Sequence, residues 1–243
     1  MSHDLEDGVF YGFFSPRFTY KTGLDHQKIS EFARLHGHDN DVLIFSPFWD
    51  LNSLFLNPFE QGEFFHPGLM ACTQLLLDSL GQATPQNRVA DWVMHGDNTI
   101  FCNYFIAKKS FWLRWLEMGE HLFKSAESTG TPLSLMLNSS TFYGQDLLPQ
   151  KIFVHERMAN ILIANGHFKS KSWGVFDFSS SITPLNQYRS EAIMANALKL
   201  AWSETQDNNY LHQFEKIKNE VFYASGIIDL FNKRNEGLGF DLK

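Results

Sequence analysis

Asn103-Tyr-Phe-Ile-Ala-Lys-Lys-Ser-Phe-Trp-Leu-Arg-Trp-Leu116 joins an apolar run of strand length to an aromatic-faced helix through two lysines, and this junction decides the fold class. The strand is predicted over Thr99 to Ala107 and the helix from Ser110 to about Ser125, with Phe111, Trp112, Trp115 and Leu116 facing inward. In open α/β folds ligands collect where strands end and helices begin. Asn103, a polar residue inside the strand, is therefore a candidate site residue, with a buried amide satisfied by backbone as the alternative. Lys108 stands at the strand end, where it can reach a phosphate.

On the N-terminal side, Val9 to Phe14 reads as a strand ended by Ser15-Pro16 and followed by a loop from Ser15 to Leu24. Asp25 is predicted to cap a helix from about His26 to His36, and Val42 to Phe45 reads as a short buried strand. Phe48 to Pro67, dense in Phe, Pro, Asn and Gly, reads as an ordered loop, with Pro67 opening a helix that runs to Leu80. A short helical piece near Arg88 to Met94 and a turn at His95-Gly-Asp-Asn98 lead into the central strand. On the C-terminal side, Thr129 to Gln150 reads as a mobile connection, Ile152 to Asn165 as a helix and Ser172 to Phe178 as a last strand. Ser190 to Glu204 and Tyr210 to Asn232 read as amphipathic helices, the first with Ile193, Ala197, Leu200 and Ala201 on its inner face. The order predicts a single layered α/β domain over residues 1–243, a mixed sheet flanked by helices.

Composition narrows the function. With 20 basic and 27 acidic residues the formal charge is −7, which argues against a general nucleic-acid partner, because neutralising phosphates needs clustered Lys and Arg. The two cysteines, Cys72 and Cys102, lie in apolar runs and read as free thiols in a reducing compartment, which favours the cytoplasm. No stretch approaches the roughly 18 apolar residues of an integral membrane segment, and residues 1–8 are polar and acidic rather than a secretion signal. Aromatic residues make up 15% of the chain, so rings in loops are available to stack on sugars as well as to build core.

Two polar clusters carry chemistry. Ser15, Arg17, Lys21 and Thr22 can hold a phosphate or a sugar carboxylate, or form a solvated loop with two ordinary cations. Glu60, Gln61, Glu63 and His66 fall within seven residues beside Phe64 and Phe65. They can supply a general base for an acceptor hydroxyl, or place an acid at the N-terminus of the next helix.

Four segments occur in an order that resembles a known group: Tyr11-Gly-Phe-Phe-Ser-Pro-Arg-Phe-Thr-Tyr-Lys-Thr-Gly-Leu24, Asp41-Val-Leu-Ile-Phe-Ser-Pro-Phe48, Glu60-Gln-Gly-Glu-Phe-Phe-His-Pro-Gly-Leu69 and Cys102-Asn-Tyr-Phe-Ile-Ala-Lys108. Together they look like an uncharacterised bacterial family found among surface-polysaccharide genes. More distantly they resemble capsule and lipopolysaccharide glycosyltransferases of GT-A type. The resemblance covers residues 9–165 and leaves 166–243 as a mainly helical C-terminal extension. It implies a GT-A-like fold lacking much of the N-terminal nucleotide-binding region, since about eight residues precede the first strand.

The activity it implies is sugar transfer from a nucleotide-sugar donor to a saccharide hydroxyl, beside other polysaccharide-assembly proteins and peripherally at the inner membrane. Glu63 or Glu156 would be the base, Arg17 and Lys21 the anion contacts, Asn103 and His66 the sugar-orienting groups, and Arg157 a further substrate contact. Asp39-Asn-Asp41 has the Asp-x-Asp form that holds Mg²⁺ or Mn²⁺ in such enzymes, and is equally ordinary turn chemistry. Glu156 is equally a first-turn acid favoured by its helix dipole. The competing reading is a non-catalytic saccharide-binding or scaffolding domain derived from such an enzyme. The transferase reading requires Arg17, Glu63 and Asn103 to border one carbohydrate-sized hollow.

Overall fold

The computed structural model describes residues 5–82, 88–144 and 146–236. Part of the polar opening segment, residues 1–4, lies outside them, as does the end of the chain from 237. The elements in chain order are β1 (Phe10–Tyr11), α1 (Phe18–Thr22), α2 (His26–His36), β2 (Val42–Ile44), α3 (Trp49–Leu54), α4 (Pro58–Phe65) and α5 (Leu69–Ser79). They continue with β3 (Phe105–Lys108), α6 (Lys109–Glu127), α7 (Pro132–Asn138), β4 (Ser140–Tyr143), β5 (Asp146–Pro149), α8 (Gln150–Ala164) and β6 (Ser170–Ser172). Helices α9 (Arg189–Thr205), α10 (Asn208–Ser225) and α11 (Ile227–Glu236) complete the described chain, with short 3₁₀ turns at Val89–Asp91, Val175–Asp177 and Pro184–Gln187.

The fold is mixed α/β, rich in helix, around a small sheet of order β1-β3-β2-β6. β3 runs antiparallel to both β1 and β2, and β2 runs parallel to β6. The central strand β2 is buried on both faces. Val42 and Ile44 pack into a core shared with α5, α6, α7 and α8, and Leu43 packs into an aromatic core with Phe18, Phe32, Phe45 and Tyr104. A third core joins α3 to α9 and α10 through Trp49, Leu54, Phe55, Ala192, Ala195 and Phe214. The fourth strand of the sheet comes from the segment beyond residue 165. Among the described residues no helix is long and apolar enough to cross a membrane.

Several expected elements change shape. The expected loop from Phe48 to Pro67 holds two helices: the Asn57 side chain accepts from the Phe59 and Glu60 amides and Pro58 fits the first turn of α4, so residues read as breakers act as caps. Residues 18–22 of the expected N-terminal loop are helical as well, and α1 closes at Gly23 with a left-handed φ of 67°. The expected mobile stretch from Thr129 to Gln150 contains α7, capped by Thr131, and the β4–β5 hairpin. Expected strands are shortened throughout. Val9 to Phe14 yields only β1, paired with Ala107 and Lys108, and at the next residue, Gly12, a Cβ would lie 2.8 Å from the Phe105 carbonyl oxygen, so the chain passes there too closely for any side chain. Ser172 to Phe178 pairs only at its start. The second C-terminal helix breaks at Gly226, and the buried face of α9 is Ala192, Ala195 and Lys199, while Ile193 is exposed.

Candidate functional site

The approach to β3 is a tight left-handed turn rather than strand. Asn160 on α8 is fully buried and grips both backbone groups of Ile100, accepting from its N–H at 2.7 Å and donating to its C=O at 2.8 Å. The Ser46 hydroxyl accepts from the Phe101 amide. Beyond these two anchors the chain turns through Cys102 (φ 59°) and Asn103 (φ 54°), and Tyr104 N–H returns to the Phe101 carbonyl at 3.2 Å. Left-handed backbone is costly for side chains other than glycine. Asn103 thus precedes the strand, and its Oδ1 is shielded from solvent with no hydrogen-bond partner.

The segment after β1 folds over this turn. Ser15 Oγ lies 2.6 Å from the Tyr104 hydroxyl, and Lys21 Nζ donates to Cys102 Sγ at 3.3 Å. The same ammonium stands 5.0 Å from the centroid of the Phe48 ring and 5.7 Å from that of Tyr104, within cation–π range. Phe48 is itself left-handed, at φ 71°. Of the four non-glycine residues with positive φ among the described residues, Phe48 and Cys102 meet the Lys21 ammonium, Asn103 follows Cys102 in the turn, and Gln206 ends a helix. Burial pushes the Cys102 thiol up, Lys21 draws it down, and the Glu156 carboxylate adds to the rise. Arg17 is exposed at the start of α1, one turn before Lys21.

The structure therefore brings Ser15 and Lys21 onto the turn that holds Asn103, with Arg17 exposed one helical turn before Lys21, while Glu156 pairs with the buried Arg157 guanidinium at 3.6 Å. Tyr104, Phe48 and Cys102 were not anticipated. The adjacency of Tyr104 to Asn103 was a weak signal, whereas nothing local in the sequence announced the other two.

The remaining predicted residues have structural employment. Thr22 is buried and donates to the Phe18 carbonyl while accepting from the Leu24 amide. Glu60 accepts from Leu56 N–H and from Lys218 Nζ, the latter at 2.8 Å. Gln61 accepts from Arg157 Nη2 at 2.8 Å, and Arg157 also donates to the carbonyls of Pro58 and Phe153, so it clamps α4 to α8 from inside. His66 is buried with its ring stacked 3.7 Å from Phe153. Lys108 faces Asp41 at 3.7 Å and rests over the Phe10 ring.

Glu63 is not placed as a base. Both its oxygens are engaged by backbone amides at the start of α5, Oε1 by Gly68 N–H at 2.9 Å and Oε2 by Met70 N–H at 2.8 Å. The carboxylate satisfies two orphan donors and complements the helix dipole. Glu63→Ala is accordingly expected to cost about 1–2 kcal/mol and lower Tm by a few degrees. Thermal melts would show this, with saccharide binding by the folded variant unchanged.

The Asp-x-Asp stretch does not fit a divalent ion. Asp39 is exposed and pairs with His38 at 2.9 Å, which holds its carboxyl below the usual range. Asp41 Oδ2 accepts from the Lys169 amide at 3.1 Å and its other oxygen faces Lys108. Among the described residues no group of three or more His, Cys, Asp or Glu is placed to hold a metal.

Two surface hollows lie elsewhere and include none of the predicted residues, so neither is the hollow expected to join Arg17, Glu63 and Asn103, and Glu63 is held instead at the start of α5. One, of about 900 Å³, is lined by Leu80, Arg114, His121 and His167 among others; its charges are already paired, Arg114 with Glu117 and Lys124 with Glu120. The other, of about 540 Å³, is an apolar groove between α6 and α8. No protein-family model, curated protein or solved structure matches the chain.

Proposed function

We propose that this chain is a glycosyltransferase of bacterial surface-polysaccharide assembly, acting at the sheet end around Lys21 and Asn103. The observation that carries the reading is the convergence of two left-handed side-chain-bearing residues, Phe48 and Cys102, on one half-buried ammonium. Strain of this kind costs roughly 1–3 kcal/mol per residue and collects at functional sites. Arg17 and Lys21 hold the anionic part of the donor, and the Asn103 amide nitrogen with the exposed Ser15 hydroxyl offers hydrogen bonds to sugar hydroxyls. The half-buried Phe48 ring provides apolar surface. Glu156 takes the acceptor proton as the acceptor oxygen bonds to the anomeric carbon and the nucleoside diphosphate leaves.

Glu156→Gln separates binding from chemistry. Turnover with a productive donor and acceptor is expected to fall about 100-fold or more while donor Kd stays unchanged. Undiminished turnover would remove Glu156 from the role. The second reading, a saccharide-binding domain without catalysis, gains from the engagement of Glu63, which leaves Glu156 alone of the two expected bases. Saccharide binding without turnover in the unaltered chain, across donor and acceptor panels, would favour it.

A further inference from the structure

We propose that the Arg17 and Lys21 face holds the donor diphosphate through side-chain cations alone, with no divalent ion bridging it to the protein. The inference rests on the reading of the sheet end as a nucleotide-sugar site. It starts from spacing. Arg17 caps α1 and Lys21 N–H bonds to its carbonyl at 3.0 Å, so the two positions stand one helical turn apart. Two cations so placed suit two linked phosphoryl groups better than one.

Both cations are also unneutralised. Neither forms an ion pair among the described residues, a state they share with Lys28, Arg34, Lys151, Lys169 and Lys171, whereas Lys108 and Lys218 face carboxylates. The one acceptor of the Lys21 ammonium is a thiol that burial keeps protonated, so N–H capacity remains. The flanking rings of Phe48 and Tyr104 partly desolvate the charge and strengthen its pull on an anion.

The carboxylates a divalent ion would need are at the wrong end of the sheet. Asp41 is level with Lys108, whose amide bonds to its carbonyl, while the Ser15 and Lys21 contacts are made at Tyr104 and Cys102. The four residue steps from Tyr104 to Lys108 span about 13 Å of extended chain. Asp39 and Asp41 are in addition already partnered, as described above.

Calorimetric titration of the full chain with inorganic pyrophosphate, orthophosphate, UDP, GDP and CDP, each in EDTA and again with Mg²⁺ or Mn²⁺, tests this. Pyrophosphate and at least one nucleotide are expected to bind in EDTA, pyrophosphate more tightly than orthophosphate and more weakly as salt rises. Arg17→Gln and Lys21→Gln should each weaken binding about tenfold, and Asp41→Asn should change nothing. Arg17 is exposed, so its variant keeps the comparison open if the Lys21 variant fails to fold. Binding that requires the divalent ion, or that is lost in Asp41→Asn, overturns the inference and leaves the site reading standing. Absence of binding by every phosphate and nucleotide, with and without metal, overturns both.

Discussion

Arg157→Met is expected to unfold the protein or lower its Tm by about 10 °C or more, and to do so before any effect on ligand binding can be read. The guanidinium is buried and donates to three separate acceptors: Pro58 O at 2.9 Å, Phe153 O at 3.1 Å and Gln61 Oε1 at 2.8 Å. Methionine fills much of the volume and strands all three. Losing one partner of a buried charged network costs about 3–5 kcal/mol, a large share of the 5–15 kcal/mol typical of a folded domain. Gly62 shows how tightly the helices close here, since a Cβ on it would lie 2.8 Å from Arg157 Nε. Arg157→Lys should recover only part of the loss, because an ammonium cannot reproduce the planar fork. A substrate contact at Arg157, as the sequence led us to expect, would instead give weaker binding at unchanged Tm.

Stability is expected to rise between pH 7 and pH 9, and Lys199→Met should flatten that rise. Lys199 is fully buried and donates to the carbonyls of Asn52 at 2.8 Å and Phe55 at 2.6 Å at the end of α3. Burial drives its pKa down to about 7 from an ordinary 10.5, with Glu60 opposing and Lys218 assisting. Above pH 7 the unfolded chain keeps a proton that the folded chain has released, so stability increases with pH, at up to roughly 1.4 kcal/mol per pH unit. The groups around it act outside this window. His95, lowered chiefly by burial, titrates below 6.5. Lys218 is raised because Glu60 and Glu215 outweigh its burial, and Cys72, raised to about 12 by burial, contributes only above 9. Urea unfolding at pH 7, 8 and 9 would check the slope; a flat or falling wild-type profile would contradict it.

Elements whose apolar period and punctuation agree were legible in the sequence. The α2 helix begins at Asp25, whose side chain accepts from Lys28 N–H, and ends beside Gly37. The β3-to-α6 junction falls where two lysines interrupt the apolar run. Strand length was overread because an apolar run reports burial, while pairing needs a partner at the right distance. The ladders stop early, at Gly12 and at the turn of Cys102 and Asn103. The inner face of α9 was displaced because one of its interior positions is a lysine.

In the site, the cations of the first loop and Asn103 were legible as polar groups near a strand boundary. Phe48 and Cys102 reach Lys21 through backbone conformations that no local pattern announces. Glu63 was misassigned although its cause was visible: an acid ahead of a helix start is as good a cap as a base, and the amides of Gly68 and Met70 decide in favour of the cap.

Backbone chemical-shift mapping of the labelled chain during titration with nucleotide sugars tests the central claim most directly. Shifts gathered in residues 13–23, 101–105 and 155–160 are the expected result. Shifts confined to residues 60–70, or to the hollow around Arg114 and His121, would contradict it.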